Sequence, residues 1–157
     1  MEERVEPVAG GGQADCFHDH AQSRRQEMEM VTRTGGCLCG ALRYEVSGEP
    51  LRVGLCHCSD CRKESGSSFV TFAVWPSPAF KSTGEVKIFA GRGFCPVCGS
   101  RLFNPGKDET EIRVGSLDNA PAGLEPQYEI WVVRRENWLP PLLVPQYPQD
   151  RNTEESD

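Results

Sequence analysis

Apolar residues recur at every second position in several short runs of this chain. Leu42, Tyr44 and Val46 alternate with polar neighbours, the period of a half-buried strand. The turn-forming run Ser47-Gly48-Glu49-Pro50 follows, and Leu51, Val53 and Leu55 alternate again up to Cys56. Residues 69–75 are β-branched and aromatic until Pro76 ends them, which reads as another strand. Val86-Lys87-Ile88-Phe89 is a further candidate, as are Ile112 with Val114 and Ser116, and residues 128–133. Residues 59–64 predict one short helical turn, with Ser59 as its cap. Short strands separated by turns at close intervals predict a mostly β fold.

Composition narrows this picture. Of 157 residues, 38% are hydrophobic and 8% aromatic, which supports one modest core. Gly 16 and Pro 12 favour loops and short strands over long helices. No run approaches the roughly 18 consecutive apolar residues of a membrane span. The N-terminus lacks the apolar stretch of a secretory signal, so the expected setting is the cytoplasm, with no membrane partner.

The formal charge of -6 is concentrated at the ends. Residues 1–30 carry three Arg against seven Asp and Glu, and residues 148–157 carry one Arg against four. The stretch between them holds 13 basic and 12 acidic side chains, so nucleic acid is not an expected partner. Residues 1–31 read as a disordered extension, 32–145 as one domain and 146–157 as a disordered tail. Cys16, His18 and His20 lie in the extension without a second cysteine pair, and read as solvated rather than metal-binding.

The cysteines carry the chemistry. Of eight, seven fall in three clusters: Cys37 and Cys39; Cys56, Cys58 and Cys61; Cys95 and Cys98. In a reducing compartment such spacings read as metal ligands before disulfides. Cys95 and Cys98 form a C-x-x-C knuckle stiffened by Pro96 and followed by Gly99. A structural zinc needs four ligands. Cys37 and Cys39, flanked by Gly35, Gly36 and Gly40, are the best partner pair. On spacing alone a different partition, Cys37 and Cys39 with Cys56 and Cys58, stays open. Left over in the first partition are Cys56, Cys58 and Cys61, and three ligands with an open fourth position is the pattern of catalytic zinc. On a strand the His57 side chain points away from its two cysteine neighbours.

The run Gly35-Gly36-Cys37-Leu38-Cys39-Gly40-Ala41-Leu42-Arg43-Tyr44 resembles the opening signature of the glutathione-dependent formaldehyde-activating enzymes, the group that includes the centromere-protein-V-type domains. Cys56-His57-Cys58-Ser59-Asp60-Cys61-Arg62-Lys63 with Ser65-Gly66 is similar to its second motif, and Phe94-Cys95-Pro96-Val97-Cys98-Gly99-Ser100 to its third. Gly115-Ser116-Leu117-Asp118, Glu129-Ile130-Trp131 and Trp138 resemble its C-terminal signatures, so the likeness spans about residues 32–140. It implies a Mss4-like β-tent of antiparallel sheets clipped by zinc. It also implies two Zn²⁺ per chain, a structural one on Cys37, Cys39, Cys95 and Cys98 and a second on Cys56, Cys58 and Cys61. The activity implied is that of a carbon–sulfur lyase joining formaldehyde to glutathione. The chain departs from founding-type members in a short stretch between Phe80 and Cys95, and its N-terminal extension has no counterpart in the motifs.

These readings give an expected mechanism. An open zinc position would bind a small thiol such as glutathione, or its aldehyde adduct, and hold it as a nucleophile. Arg62 and Lys63 are candidates for gripping a substrate carboxylate. Asp118 could orient a proton-transfer water, and Trp131, Trp138 and Phe72 could line a pocket. The alternative is a non-catalytic zinc-stabilised interaction module, since fold alone does not decide function.

Overall fold

The computed structural model describes residues 31–151. Cys16, His18, His20 and residues 152–157 lie outside them. The strands are β1 (Thr32–Gly36), β2 (Arg43–Ser47), β3 (Arg52–Cys56), β4 (Val70–Pro76), β5 (Phe80–Thr83), β6 (Lys87–Phe89), β7 (Arg92–Phe94), β8 (Arg101–Pro105), β9 (Glu109–Arg113), β10 (Glu129–Ile130) and β11 (Gln146–Tyr147). One α-helix, α1 (Ser59–Ser65), joins β3 to β4. The fold is mostly β, as the alternation predicts.

The strands form two sheets. One is three-stranded, ordered β1-β2-β5, and antiparallel throughout. The other is eight-stranded, ordered β11-β10-β3-β4-β9-β8-β7-β6. It is antiparallel except at one end, where β10 runs parallel to both β3 and β11.

The main core lies between the sheets. Tyr44 and Val46 of β2 face it, with Ala73 and Trp75 of β4, Leu102 and Phe103 of β8, and Ile112 of β9. The period of two puts Phe72 and Val74 on the opposite face of β4, where they join Cys56 and Tyr128 in a smaller cluster. Because residues 72–75 of β4 are buried on both faces, Phe72-Ala73-Val74-Trp75 is an unbroken apolar run rather than an alternation. Gly54 of β3 is required by packing. A Cβ there would lie 2.6 Å from the Phe72 ring and 2.8 Å from Tyr128.

Two predicted strands end early. Residues 114–116 form a 3₁₀ turn, closed by the Leu117 amide on the Val114 carbonyl at 3.1 Å. The run expected over 128–133 pairs only at Glu129 and Ile130. Trp131 takes a left-handed backbone with φ 58°, and a 3₁₀ turn follows it. Conversely, β11 lies inside the segment predicted as a tail, with Gln146 and Tyr147 paired to Glu129 and Ile130. The helix cap also differs by one residue: the Cys58 sulfur accepts the Cys61 amide at 3.3 Å, in place of Ser59.

Tyr44 reports on the joint between the sheets. It is buried, its ring meets Phe103 edge-on at 6.0 Å, and its hydroxyl lies 2.7 Å from the Ser116 Oγ. Burial pushes the phenol up to about 12, against the opposing pull of Ser116. A raised folded-state pKa gives stability that is whole below the unfolded value of about 10 and is lost as pH rises towards the folded value. Tyr44→Phe should cost about 1 kcal/mol at pH 7 through the lost hydrogen bond. It should also flatten the alkaline loss of stability in urea titrations run from pH 9 to 11, about the phenol range.

Candidate functional site

Two knuckles, each spanned by a cysteine amide bonded to the carbonyl five residues on, carry the first sulfur cluster. In one, the Cys37 amide donates to the Leu42 carbonyl at 2.9 Å and the Gly40 amide to the Cys37 carbonyl at 3.1 Å. In the other, the Cys95 amide donates to the Ser100 carbonyl at 3.0 Å and the Gly99 amide to the Cys95 carbonyl at 2.9 Å. Each turn closes on a glycine in the left-handed region, Gly40 at φ 78° and Gly99 at φ 75°, where a side chain would be strained. The Leu38 amide crosses to the Ser100 Oγ at 3.1 Å and ties the knuckles together.

The structure therefore brings Cys37, Cys39, Cys95 and Cys98 together, with all four sulfurs within 4.8 Å of one another. Cys37 and Cys39 are 3.5 Å apart, and Cys39 and Cys95 are 3.7 Å apart. Sulfurs at about 2.3 Å from a tetrahedral ion sit about 3.8 Å from each other, so the spacing fits one. The Ser100 hydroxyl and amide draw the Cys98 thiol well below its ordinary range. Cys39, although an Ala41 N–H pulls it down, is driven up by its sulfur neighbours and by burial. Four crowded thiols cannot all ionise without a cation to neutralise them.

The second cluster is Cys56, Cys58 and Cys61, also within 4.8 Å of one another. Cys56 ends β3, Cys58 caps α1 and Cys61 lies in its first turn. The Cys58 amide donates to the Cys56 sulfur at 3.4 Å. Burial pushes the Cys58 thiol up. Cys61 is raised by its bond to Cys56 and by burial, while the Arg113 guanidinium pulls it back. His57 is not a fourth member. It is fully buried on the other side of the strand, with Nε2 3.9 Å from the Glu129 carboxylate, which Arg135 also holds at 2.8 Å.

Beside these clusters is a cavity of about 710 Å³, bordered by Cys37 and Cys98 of the first and by Glu64 and Ser65 of α1. Its polar walls also include Arg43, Arg101, Arg113 and Asp118. None of the three second-cluster sulfurs lines it. Glu64 organises one wall. Its carboxylate takes Arg92 Nε at 2.8 Å, Arg101 Nε at 3.3 Å and the Arg113 guanidinium.

Arg62 is held by the Glu136 carboxylate and donates to the Arg134 carbonyl at 2.7 Å, while Lys63 is exposed on the helix. Asp118 receives Arg43 at 3.0 Å as well as the Thr34 hydroxyl at 2.6 Å. Trp131 bonds Asp150 through Nε1 at 2.8 Å, Trp138 is exposed, and Phe72 is buried in the smaller core. Arg101, directly after the third motif, and Arg113, two residues before Gly115, fall just outside the quoted motifs, and an acid–base count along β8 and β9 could have drawn attention to them.

A four-sulfur cluster between the two sheets and a three-sulfur cluster where β3 meets α1 define a cysteine-rich β domain able to hold metal ions. Over residues 32–134 the chain matches the sequence model of the family described as glutathione-dependent formaldehyde-activating enzyme. The match covers well over half of the chain and both clusters, so the chain belongs to that family. An uncharacterized lyase of Schizosaccharomyces pombe is 32% identical over 79 residues, which are 47% of this chain and 58% of that protein. The chain thus matches less than two thirds of that relative's length. A solved Rhodobacter sphaeroides protein from structural genomics superposes with a TM-score of 0.42 at 24% identity, over 59% of this chain and 91% of that one. No helix among the described residues is long and apolar enough to cross a membrane.

The two clusters should load metal independently. Mass-spectrometric metal analysis of the purified chain should find about two equivalents, one for each donor set. Cys58→Ser, which keeps a helix cap, should lose one equivalent with its circular dichroism unchanged. Cys95→Ala should lose the other and unfold, because metal binding at such a joint is folding free energy.

Proposed function

We propose that the chain is a zinc-dependent carbon–sulfur lyase-like enzyme handling the adduct of a small thiol, such as glutathione, with formaldehyde or another aldehyde. The observation that carries this reading is the incomplete second cluster. Three thiols share one site, and no fourth histidine, cysteine or carboxylate joins them among the described residues. The first cluster, with four donors, is in this reading the structural zinc that joins the sheets.

When bound at Cys56, Cys58 and Cys61, zinc would supply a Lewis acid that favours the thiolate form of an incoming thiol. The chain's own groups prepare that position. Backbone N–H groups of Cys58 and Cys61 point at the Cys56 and Cys58 sulfurs and favour their ionised forms. Helix α1 fixes the Cys58–Cys61 spacing, and the Arg113 guanidinium adds positive charge next to Cys61. In the forward direction the substrate sulfur bonds the aldehyde carbon, the C=O π pair moves to oxygen, and the thiol proton ends on that oxygen. The product is a hemithioacetal, and the reverse step expels the thiol. Asp118 and Lys63 are candidate polar groups at the approach. The catalytic unit in this reading is the domain at 32–145 completed by β11, working where thiols stay reduced, such as the cytoplasm.

Exchange-transfer NMR of glutathione with formaldehyde tests this directly. The metal-loaded chain should speed exchange between free and hydroxymethylated glutathione above the buffer rate. Cys58→Ser should return it to that rate while folded. Wild-type exchange no faster than buffer would leave the interaction module as the better reading.

A further inference from the structure

We propose that the cavity between α1 and the Cys37 knuckle seats a carboxylate of the thiol substrate, with Arg113 as its principal donor and Arg43 as the second cation. The inference rests on the thiol–aldehyde reading above and adds the site that would select among thiols.

Arg113 is the reason. It is 7% exposed, at the end of β9, and forms part of the cavity wall. Its terminal nitrogens are taken by Glu64 and Glu111. Its Nε has no hydrogen-bond partner, and among the described residues it is the one buried guanidinium nitrogen left so. A buried N–H without an acceptor is costly, and an anion reaching it would complete the guanidinium's bonding. Arg43 also lines the cavity, and among the described residues its ion pair is with the part-exposed Asp118 carboxylate.

Charge and size narrow the ligand. Arg43, Arg101 and Arg113 face Glu64 and Asp118, and the first cluster, loaded as four thiolates on one divalent ion, adds negative charge at the Cys37 and Cys98 border. The guanidiniums offer a single carboxylate local donors, while the wall carboxylates and thiolates disfavour a dianion such as phosphate. A cavity of about 710 Å³ accepts a peptide-sized thiol.

The site is also placed to deliver a thiol. Ser65 lines the cavity, and its hydroxyl donates to the Cys61 carbonyl one turn back, at 2.7 Å. The helical rise over those four residues is about 6 Å. Cys61 itself does not border the cavity, so a substrate anchored by its carboxylate against Arg113 reaches past Ser65 along α1 to bring its sulfur to Cys61. Arg62, bound to Glu136, is not needed for the grip.

Binding calorimetry on the metal-loaded chain separates this site from the chemistry. The probe is S-methylglutathione, which keeps the carboxylates and cannot form a thiolate. It should bind wild type and Cys58→Ser alike, and its carboxyl-amidated form should bind neither. Arg113→Lys keeps a cation beside Glu64 but removes Nε, and should weaken binding at least about tenfold with metal content unchanged. Gly115→Leu provides a charge-neutral second test. Position 115 borders the cavity, and a Cβ there meets no atom within 4 Å, so a side chain obstructs the cavity without disturbing the wall. It should weaken binding as well. Equal affinity in wild type, Arg113→Lys and Gly115→Leu, equal affinity of the amidated probe, or no binding to wild type overturns the inference. Catalysed thiol exchange with unchanged Arg113→Lys affinity would overturn this site alone. Probe binding lost in Arg113→Lys without any catalysed exchange would overturn the enzymatic reading and leave the anion site.

Discussion

Four sulfurs held within 4.8 Å of each other are an electrostatic demand before they are a binding site. As thiols they crowd, and as thiolates they repel, so the geometry suits a shared cation. That demand falls where the two sheets meet. Cys37 and Cys39 leave β1 of the small sheet, and Cys95 and Cys98 connect β7 to β8 of the large one. The joint sets how far the sheets stand apart. Tyr44, Phe80 and Phe103 fill the gap behind it, with Phe80 and Phe103 rings 4.8 Å apart. The same joint supplies one border of the cavity through Cys37 and Cys98.

The opposite border depends on α1, and seven residues are too few for a helix to hold itself in water. Both of its ends are fixed from outside. At the start a sulfur caps it. In the last turn Glu64 receives Arg92, Arg101 and Arg113, one from each of three adjacent strands, β7, β8 and β9. The large sheet thus grips the helix that presents Cys58 and Cys61. Position and charge at the second cluster are set by residues far from it in sequence.

That distance explains what was legible in the chain. The knuckles are local: Gly40 and Gly99 stand one residue past a cysteine because the turn needs a positive φ there, and spacing alone exposes this. The alternation in β2 and β3 is local too, and the unbroken run of β4 followed from its burial on both faces. The partners of Glu64 are 28 to 49 residues away, on strands whose polar faces carry no motif, so nothing local to α1 points to them. Arg62, a candidate for a substrate carboxylate, is held by Glu136. Nor does residue type show that Trp131 leaves the strand region, because its backbone is set by the Gln149 carbonyl and Asp150 carboxylate that its two N–H groups meet.

The outer edge of the large sheet has a colloidal consequence. Its last strand, β6, is three exposed residues long, with Phe89 75% and Ile88 57% accessible. An open strand edge with two apolar side chains is a template for another molecule's backbone. Here the template stops after Phe89, where Ala90 at φ 48° and Gly91 at φ 76° turn the chain back, and it begins with the charge of Lys87. An edge this short offers another copy few backbone groups to pair with.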